Sequence, residues 1–187
     1  KIVYTGSIYP QQSIEPLFEA INMLGELGNN IKMSFYGVQP KDRICSLAQL
    51  YNLAGQIEFH DRVSYEESLL IQRQADALLV LLWNDIKSEG MTLGKPLEYL
   101  GARRPILAVG NDRQHILCKL GIINYLQTPK DIVSQLKTWL NEKKEIGKIP
   151  DILHPEAKIF ERKYQTQKLE SFMKHVLSSS SQAEVRH

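Results

Sequence analysis

The chain has 187 residues, of which 43% are hydrophobic and 24% are charged, and its formal net charge is +2. This length allows one domain with a sizeable core, and the small net charge gives no indication of a nucleic-acid partner. No apolar run approaches the roughly 18 residues that a membrane-spanning helix requires, and the two cysteines lack the spacing of metal ligands.

The first half of the chain shows alternating strand and helix patterns. Strands are predicted at residues 1–5, 31–37 and 56–61, and helices at 14–27, 40–54 and 65–74. Ser64, with Glu67 three residues later, has the capping-box pattern of a helix start. Because the chain opens directly within the first predicted strand, we expect an N-terminal part of the protein to be missing.

The second half continues the alternation around a very apolar strand. Residues 75–83 (ADALLVLLW) show no polar alternation, which is typical of a strand buried on both faces. The next predicted elements are a helix starting near Lys95, a strand at 105–109, a helix near 112–119, a strand at 121–126 and a helix at 130–145. The whole pattern predicts an α/β fold, namely a Rossmann-like parallel six-stranded sheet with helices on both faces, plus a C-terminal helix.

Three regions are predicted along the chain. Residues 1–150 form the Rossmann-like domain, residues 151–178 contain a long amphipathic C-terminal helix, and residues 179–187 form a disordered serine-rich tail. Arg103 and Arg104 follow the helix that starts near Lys95, on the side away from the expected ligand cleft, so we expect both to be solvated.

The stretch GMTLGKP, residues 90–96, has features of a phosphate-binding loop. It is not a Walker loop, because three residues separate its glycines and proline follows its lysine. Pro96 nevertheless predicts a helix start near Lys95, where free backbone N–H groups and the helix dipole favour an anion. Gly90 and Gly94 allow close backbone approach, and Lys95 adds a positive charge. The sequence therefore predicts a diphosphate site here.

Glu98 follows this loop and has two interpretations. A carboxylate in the first turn of a helix is stabilised by the helix dipole, by roughly 0.3–1 kcal/mol, without any ligand. Alternatively, Glu98 accepts hydrogen bonds from ribose hydroxyls, as acidic residues do elsewhere in Rossmann folds. The residue alone does not decide between them.

A longer stretch, EGMTLGKPLEYLGARRPILAVG preceded by QADALLVLLW, resembles the donor-binding C-terminal domain of retaining family 4 glycosyltransferases, which have the two-domain GT-B fold. The segments YTGSIY, LFEAINML, FYG and FHDRVSYEESLLIQRQAD occur in the same order and spacing as in that family. The resemblance covers residues 1 to about 145.

The resemblance implies roles for individual residues. Glu98 matches the acid that holds the donor ribose, Glu89 lies near the place of an acid facing the sugar, and Lys95 belongs to the loop that touches the diphosphate. These three are the candidate catalytic residues. The implied donor-binding residues are Gly6, Ser7, Tyr36, Gly37, Arg62, Val63, Gly90, Met91, Thr92, Leu93, Gly94 and Glu98. The family requires no metal and no cofactor, so none is expected.

Several positions depart from the family pattern. Ser7 and Gln11 or Gln12 stand where the family commonly has an arginine and a lysine that neutralise the diphosphate. Charge-assisted contacts of this kind contribute roughly 1.5–3 kcal/mol each, so their loss weakens the expected nucleotide site. Glu89 is one residue away from the usual spacing to Glu98, and Pro96 replaces an aliphatic residue.

The resemblance implies hexosyl transfer from a nucleotide-diphospho-sugar to a saccharide or lipid-linked saccharide, with retention at the anomeric carbon. The acceptor would bind the missing N-terminal domain, so the chain alone is expected to be inactive. The expected setting is polysaccharide biosynthesis in the cytoplasm, with peripheral contact to the inner face of the membrane. Two alternatives stay open: a degenerate GT-B domain that mediates protein interaction, and a nucleotide-sugar 2-epimerase-like domain. The base, the sugar and the acceptor also stay open.

Three further residues are predicted near the cleft. His60 ends the third strand, Trp83 ends the fourth, and Asp85 lies in the following loop. His60 and Trp83 are candidate ligand contacts, although a partly exposed loop histidine and a tryptophan packed beneath the loop are more common at such positions.

Overall fold

The computed structural model describes residues 1–82, 94–110, 116–123 and 125–184. Its centre is one parallel sheet of six strands. The strands are β1 (Ile2–Thr5), β2 (Met33–Tyr36), β3 (Ile57–His60), β4 (Ala77–Leu81), β5 (Ile106–Val109) and β6 (Tyr125–Leu126). Their spatial order is β3-β2-β1-β4-β5-β6, so the strand order reverses between β1 and β4. The predicted fold class is confirmed.

Helices alternate with the strands and cover the sheet. They are α1 (Glu15–Met23), α2 (Asp42–Leu50), α3 (Tyr65–Gln74), α4 (Gly94–Ala102), α5 (Ile116–Lys119), α6 (Pro129–Ile146) and α7 (Arg162–Glu184). Short 3₁₀ helices lie at Gly25–Asn30, Ala54–Gln56 and Pro155–Phe160. Ser64 caps α3 as predicted, because its hydroxyl accepts a hydrogen bond from the Glu67 amide at 3.1 Å.

Alternate residues of β1 show how both faces of the sheet are buried. Ile2 and Tyr4 belong to a hydrophobic core that also contains Phe18 of α1 and Leu136 of α6. Thr5 faces the other way and bonds to side chains of α3 and α4. Alternation of this kind follows from the two-residue period of a strand.

The first helix is shorter than its apolar pattern predicts. The sequence predicts one helix over 14–27, whereas α1 ends at Met23 and a 3₁₀ helix follows from Gly25. Gly25 has a φ of +57°, a left-handed conformation that ends a right-handed helix.

Arg104 is not solvated, contrary to the sequence-based expectation. It is only 9% exposed and donates to Asp151 Oδ1 at 2.6 Å and to the carbonyls of Asp76 and Ile149, each at 3.0 Å. Arg73 of α3 also donates to Asp151, at 3.3 Å. The hydrogen bond from Arg104 lowers the pKa of Asp151. These bonds attach the irregular segment that follows α6 to the sheet.

The chain divides into two compact units, Lys1–Leu153 and His154–His187. The second unit consists of the 3₁₀ helix Pro155–Phe160 and α7. Residues 179–184 continue α7, so they are helical where the sequence predicts disorder; residues 185–187 lie outside the described part. Among the described residues, no helix is long and apolar enough to cross a membrane.

Candidate functional site

A cleft of about 490 Å³ opens at the carboxyl ends of β1, β2 and β3. It lies beside the reversal of strand order between β1 and β4, the place where open parallel sheets bind ligands. Its lining residues come from four loops or helix starts: Thr5, Gly6, Tyr36, Gly37, Arg62, Val63, Ser64, Tyr65, Ser68, Gly94, Lys95 and Glu98. The structure thus brings together eight of the predicted site residues: Gly6, Tyr36, Gly37, Arg62, Val63, Gly94, Lys95 and Glu98.

Thr5, the last residue of β1, fixes the start of α4 against the sheet. Its amide donates to the Tyr99 hydroxyl at 3.1 Å, and its own hydroxyl lies 3.2 Å from the same oxygen. Its carbonyl accepts a hydrogen bond from Lys95 Nζ. Burial raises the pKa of Tyr99 to about 12, so this hydroxyl stays protonated and keeps its place in the network.

Lys95 carries the positive charge at the floor of the cleft. Its Nζ lies 4.1 Å from the centroid of the Tyr4 ring, in a cation–π contact. Burial lowers the pKa of Lys95 to about 8, while the nearby charge of Glu98 acts in the opposite direction. Lys95 is therefore mostly cationic at neutral pH, although its charge is poorly solvated.

Gly6 leaves room for this lysine. Its φ is +101°, and a Cβ atom placed on it would lie 2.7 Å from Lys95 Nζ. Only glycine adopts this backbone conformation readily. The positive φ is what requires glycine here, because the flexible end of the lysine could move aside. The predicted approach of this loop to a phosphate stays a prediction.

Glu98 is the fifth residue of α4, one residue further from the helix start than a start at Lys95 would place it. The helix begins at Gly94, and its first turn contains no acidic residue. Since the dipole effect is confined to the first turn, it does not explain this carboxylate. The half-buried side chain lines the cleft and accepts a hydrogen bond from Gln72 Nε2 of α3. The ligand-binding role of Glu98 stays a prediction.

The outer wall of the cleft contains the residues predicted to meet the base. The Tyr36 ring stacks on His60, with ring centroids 4.3 Å apart and an angle of 13° between the planes. Gly37 has a φ of +72°, and a Cβ there would meet Arg62 atoms at 3.7–3.9 Å. The Arg62 side chain is exposed and has no hydrogen-bond partner among the described residues. His60 thus supports the wall, while Tyr36 and Arg62 face the cleft.

A second, smaller cleft of about 200 Å³ adjoins the first. Gly94 and Lys95 line both, and Ser7 lines only the second. Gln12, at a position where the resemblance implies a lysine, is 4% exposed, and its Nε2 donates to the Leu81 carbonyl at 2.6 Å while its Oε1 accepts from the Tyr9 amide at 2.9 Å. Gln12 therefore holds the β1 loop against β4 and offers no charge to a ligand.

Part of the predicted site falls outside the described residues. Glu89, Gly90, Met91, Thr92 and Leu93, together with Trp83 and Asp85, belong to the segment 83–93. Their predicted roles stay predictions. In the part of the chain that the structure describes, no group of histidine, cysteine or acidic side chains is arranged to hold a metal ion.

The comparisons with known proteins identify the fold but no close relative. No family model matches the sequence, and no curated protein matches it. The pneumococcal O-GlcNAc transferase GtfA, solved with UDP and GlcNAc, superposes with a TM-score of 0.63 at 12% identity, over 94% of this chain and 35% of that one. HepE from Anabaena, solved with UDP-glucose, gives 0.63 at 11% identity, over 95% and 48%.

The catalytic domain of the cholesterol-α-glucosyltransferase from Helicobacter pylori gives a TM-score of 0.56 at 18% identity, over 91% of this chain and 97% of that one. The chain has the Rossmann-like fold of GT-B glycosyltransferases. Identities this low establish the fold alone. The chain spans about a third to a half of the length of GtfA and HepE.

Sequence reasoning missed the residues that hold this cleft together. Thr5, Gln72 and Tyr99 form the hydrogen-bond network beneath Lys95 and Glu98. One signal was present in the sequence: Gln72 is a polar residue within the helical pattern directly before the buried strand β4. A polar side chain facing a sheet must find a partner there.

Proposed function

We propose that this chain is the donor-binding domain of a retaining, family 4-like GT-B glycosyltransferase. It binds a nucleotide-diphospho-sugar and, with an acceptor-binding domain, transfers the hexosyl group with retention. The observation that carries this proposal is the placement of Lys95 and Glu98 in one cleft, beside Gly6 and at the switch point of the sheet. A cation and a carboxylate three residues apart on α4 match the two polar parts of a nucleoside diphosphate.

The diphosphate is assigned to the start of α4. The first backbone N–H groups of a helix lack intrahelical partners, and the dipole there favours an anion. Lys95 lies at this end and is mostly protonated at neutral pH, since its pKa is about 8. Gly6 and Gly94 present no side chain to the anion.

The nucleoside is assigned to the wall of the larger cleft. Glu98 has acceptor capacity left for ribose hydroxyls, because its described hydrogen bond occupies only Oε1. Beyond it, Tyr36 and Gly37 and the backbone of Arg62 and Val63 form the surface for the base. The sugar is assigned to the side of Ser7, which lines the smaller cleft. The role of Glu89 as the acid that meets the sugar rests on the resemblance alone, because Glu89 and residues 90–93 lie outside the described residues. Two of the structural neighbours were solved with UDP or UDP-glucose, which makes UDP the first nucleotide to test.

The chemistry follows from where charge builds up. As the bond between the anomeric carbon and the diphosphate oxygen breaks, negative charge develops on the departing diphosphate. Lys95 and the N–H groups of α4 stabilise that charge from fixed positions, which is an electrostatic contribution to the rate. With retention, the acceptor oxygen bonds to the same face of the anomeric carbon, and its proton passes to the departing phosphate. No metal ion is needed for this step.

The acceptor site is assigned to another domain. A chain that covers 35% of GtfA and 48% of HepE corresponds to part of such an enzyme. Within the second unit, α7 exposes an apolar stripe with the spacing of one helix face: Leu169, Phe172, Met173, Val176 and Leu177. We assign this stripe to packing on the acceptor-binding domain. The acceptor is a saccharide or lipid-linked saccharide, and the setting is the cytoplasm with peripheral contact to the membrane.

A titration with UDP, GDP and ADP tests the donor site. We expect saturable binding of one of them by calorimetry. Glu98→Ala should weaken that binding about tenfold or more, because a hydrogen bond to a charged group contributes about 1.5–3 kcal/mol. Glu19→Ala, at an exposed position of α1, is the matched control and should leave the affinity unchanged.

A second candidate, a protein-interaction module without donor binding, is favoured by one observation. Gln12 is buried and bonds to two backbone groups, and neither it nor Ser7 carries a charge, so two cations of the resembled family are replaced. Absence of binding to all three nucleotides would support this candidate and reject the transferase. The epimerase-like alternative gains no support, because among the described lining residues of both clefts Glu98 is the one acid and histidine is absent.

A further inference from the structure

Gln72 of α3 is buried at the base of the larger cleft. It is 0% exposed, and its Nε2 lies within hydrogen-bond distance of three oxygens. These are Ser68 Oγ at 3.0 Å, Thr5 Oγ1 at 3.3 Å and Glu98 Oε1. A single amide nitrogen thus links β1, α3 and α4 beneath the proposed ligand.

The bond to Glu98 fixes the orientation of this amide. If the amide were turned over, its oxygen would face a carboxylate oxygen, and two acceptors would repel each other. In the observed orientation, Oε1 of Gln72 is buried and has no hydrogen-bond partner among the described residues. Buried polar atoms without partners are rare, and each requires an explanation. The explanation we see is that Nε2 must point at Glu98.

The orientation of the Gln72 amide keeps Glu98 from pairing with Lys95. Residues three apart on a helix are neighbours, and a lysine and a glutamate there tend to pair. The ion pairs of the described residues do not include one between Lys95 and Glu98. Instead, Lys95 donates to the Thr5 carbonyl and Glu98 accepts from Gln72. Each charge is held by a separate neutral partner, so each stays available to a different part of a ligand.

We propose that Gln72 is a positioning residue, which holds the Glu98 carboxylate toward the ribose and away from Lys95 and thereby sets the preference of the site for ribonucleotides over 2′-deoxyribonucleotides. This inference rests on the proposed function, because it requires that Glu98 meets the ribose. It gives a role to Gln72, for which the sequence predicted none. It also predicts that the site distinguishes ribose from 2′-deoxyribose, which can be measured separately from the overall affinity.

The test compares two dissociation constants for each variant. The probes are whichever of UDP, GDP and ADP binds best, and its 2′-deoxy counterpart (dUDP, dGDP or dADP). For the unsubstituted chain we expect the ribonucleotide to bind about tenfold better, or more, since one charge-assisted hydrogen bond is lost with the 2′-hydroxyl. Glu98→Ala should abolish the preference. Gln72→Met, which keeps the size of the side chain, should reduce it to threefold or less.

Gln74→Met is the matched control, because Gln74 is exposed on the same helix two residues further on. It should keep the full preference. If Gln72→Met proves unstable in a thermal unfolding measurement, Gln72→Asn is the variant to use in its place. It keeps a polar amide at this buried position but is one methylene shorter, which draws the nitrogen back from Glu98, so it should also lose the preference.

The outcomes separate the two proposals. A preference that depends on Glu98 but is unchanged in folded Gln72 variants overturns the role of Gln72 and leaves the proposed function intact. No nucleotide binding, or a preference unaffected by Glu98→Ala, overturns the proposed donor site and the inference with it. In the Glu98→Ala background, Gln72→Met should cause no further change in the preference; an additional change would show that Gln72 acts by another route.

Discussion

The positive charge of Lys95 is partly buried and poorly solvated. The Tyr4 ring, the Thr5 carbonyl and the Gly6 backbone surround its ammonium group, and burial lowers its pKa to about 8. Bound anions stabilise the protonated form, so a diphosphate raises this pKa again. Nucleotide binding and protonation of Lys95 are therefore linked.

This linkage predicts that affinity decreases at alkaline pH. The protonated lysine binds the diphosphate, so affinity is highest below pH 8 and falls as the pH rises through the pKa of the free protein. Between pH 7 and 9.5 the dissociation constant should increase by about 30-fold at most, following the protonated fraction. Calorimetric titrations at four pH values in this range provide the measurement.

Lys95→Met supplies the reference for that experiment. It should bind about 10- to 100-fold more weakly at pH 7, and its affinity should depend much less on pH. Lys137→Met, at an exposed position of α6, should behave like the unsubstituted chain. Equal pH profiles for the Lys95→Met variant and the unsubstituted chain would show that another group controls the binding.

The sequence allowed prediction of some residues of the site and not of others. Lys95 and Glu98 were predictable because they lie in one contiguous stretch with a helix start. Gln72 and Thr5 were not, because their bonds to α4 join residues 26 and 94 positions apart. Such contacts are determined by the packing of α3, β1 and α4 together, which no local pattern reports.

At the level of the elements, the start of α4 agrees with the predicted start near Lys95 to within one residue. Proline is preferred at the first helical position, so Pro96 suggested a start near Lys95. The helix instead begins at Gly94, two residues before Pro96. The first four N–H groups of a helix have no intrahelical acceptor, so a proline is tolerated throughout the first turn. The sequence therefore defined the helix but not its first residue.

The segment after α6 is held by side chains and contains no regular structure of its own. Arg104→Ala should reduce the free energy of unfolding by about 1–3 kcal/mol, because the carbonyls of Asp76 and Ile149 lose this donor and Asp151 loses one of its two arginine partners. Arg103→Ala, at the exposed neighbouring position, should change it by about 0.5 kcal/mol or less. Urea denaturation of both variants is the measurement, and equal effects would contradict the role of Arg104.

For the whole molecule, the alternation of strands and helices predicted the layered fold. Six strands separated by helices require parallel pairing with crossovers, so the sheet type followed directly from the pattern. The order β3-β2-β1-β4-β5-β6 did not follow from periodicity, since it depends on which strands meet in space.

Since the acceptor site is assigned to another domain, we predict that this chain binds the donor but does not transfer the sugar. Incubated with UDP-glucose and saccharide acceptors, the 187-residue chain should release no UDP above the background of the heat-unfolded chain, although the donor titration is saturable. The measurement is a coupled assay for UDP. Turnover by this chain alone would contradict the assignment of the acceptor site to another domain.

The bonds of Arg104 also determine where the polypeptide can be trimmed. Residues 148–153 look dispensable, since they carry no helix or strand, yet Ile149 and Asp151 supply two of the oxygens that receive the buried guanidinium. Protein expressed only up to Gly147 would leave this group open to solvent with the Asp76 carbonyl as its one remaining partner among those named, and it should be prone to aggregate. A boundary at Leu153 keeps all its partners, and that is the shorter version of the domain to choose for crystallisation with nucleotide.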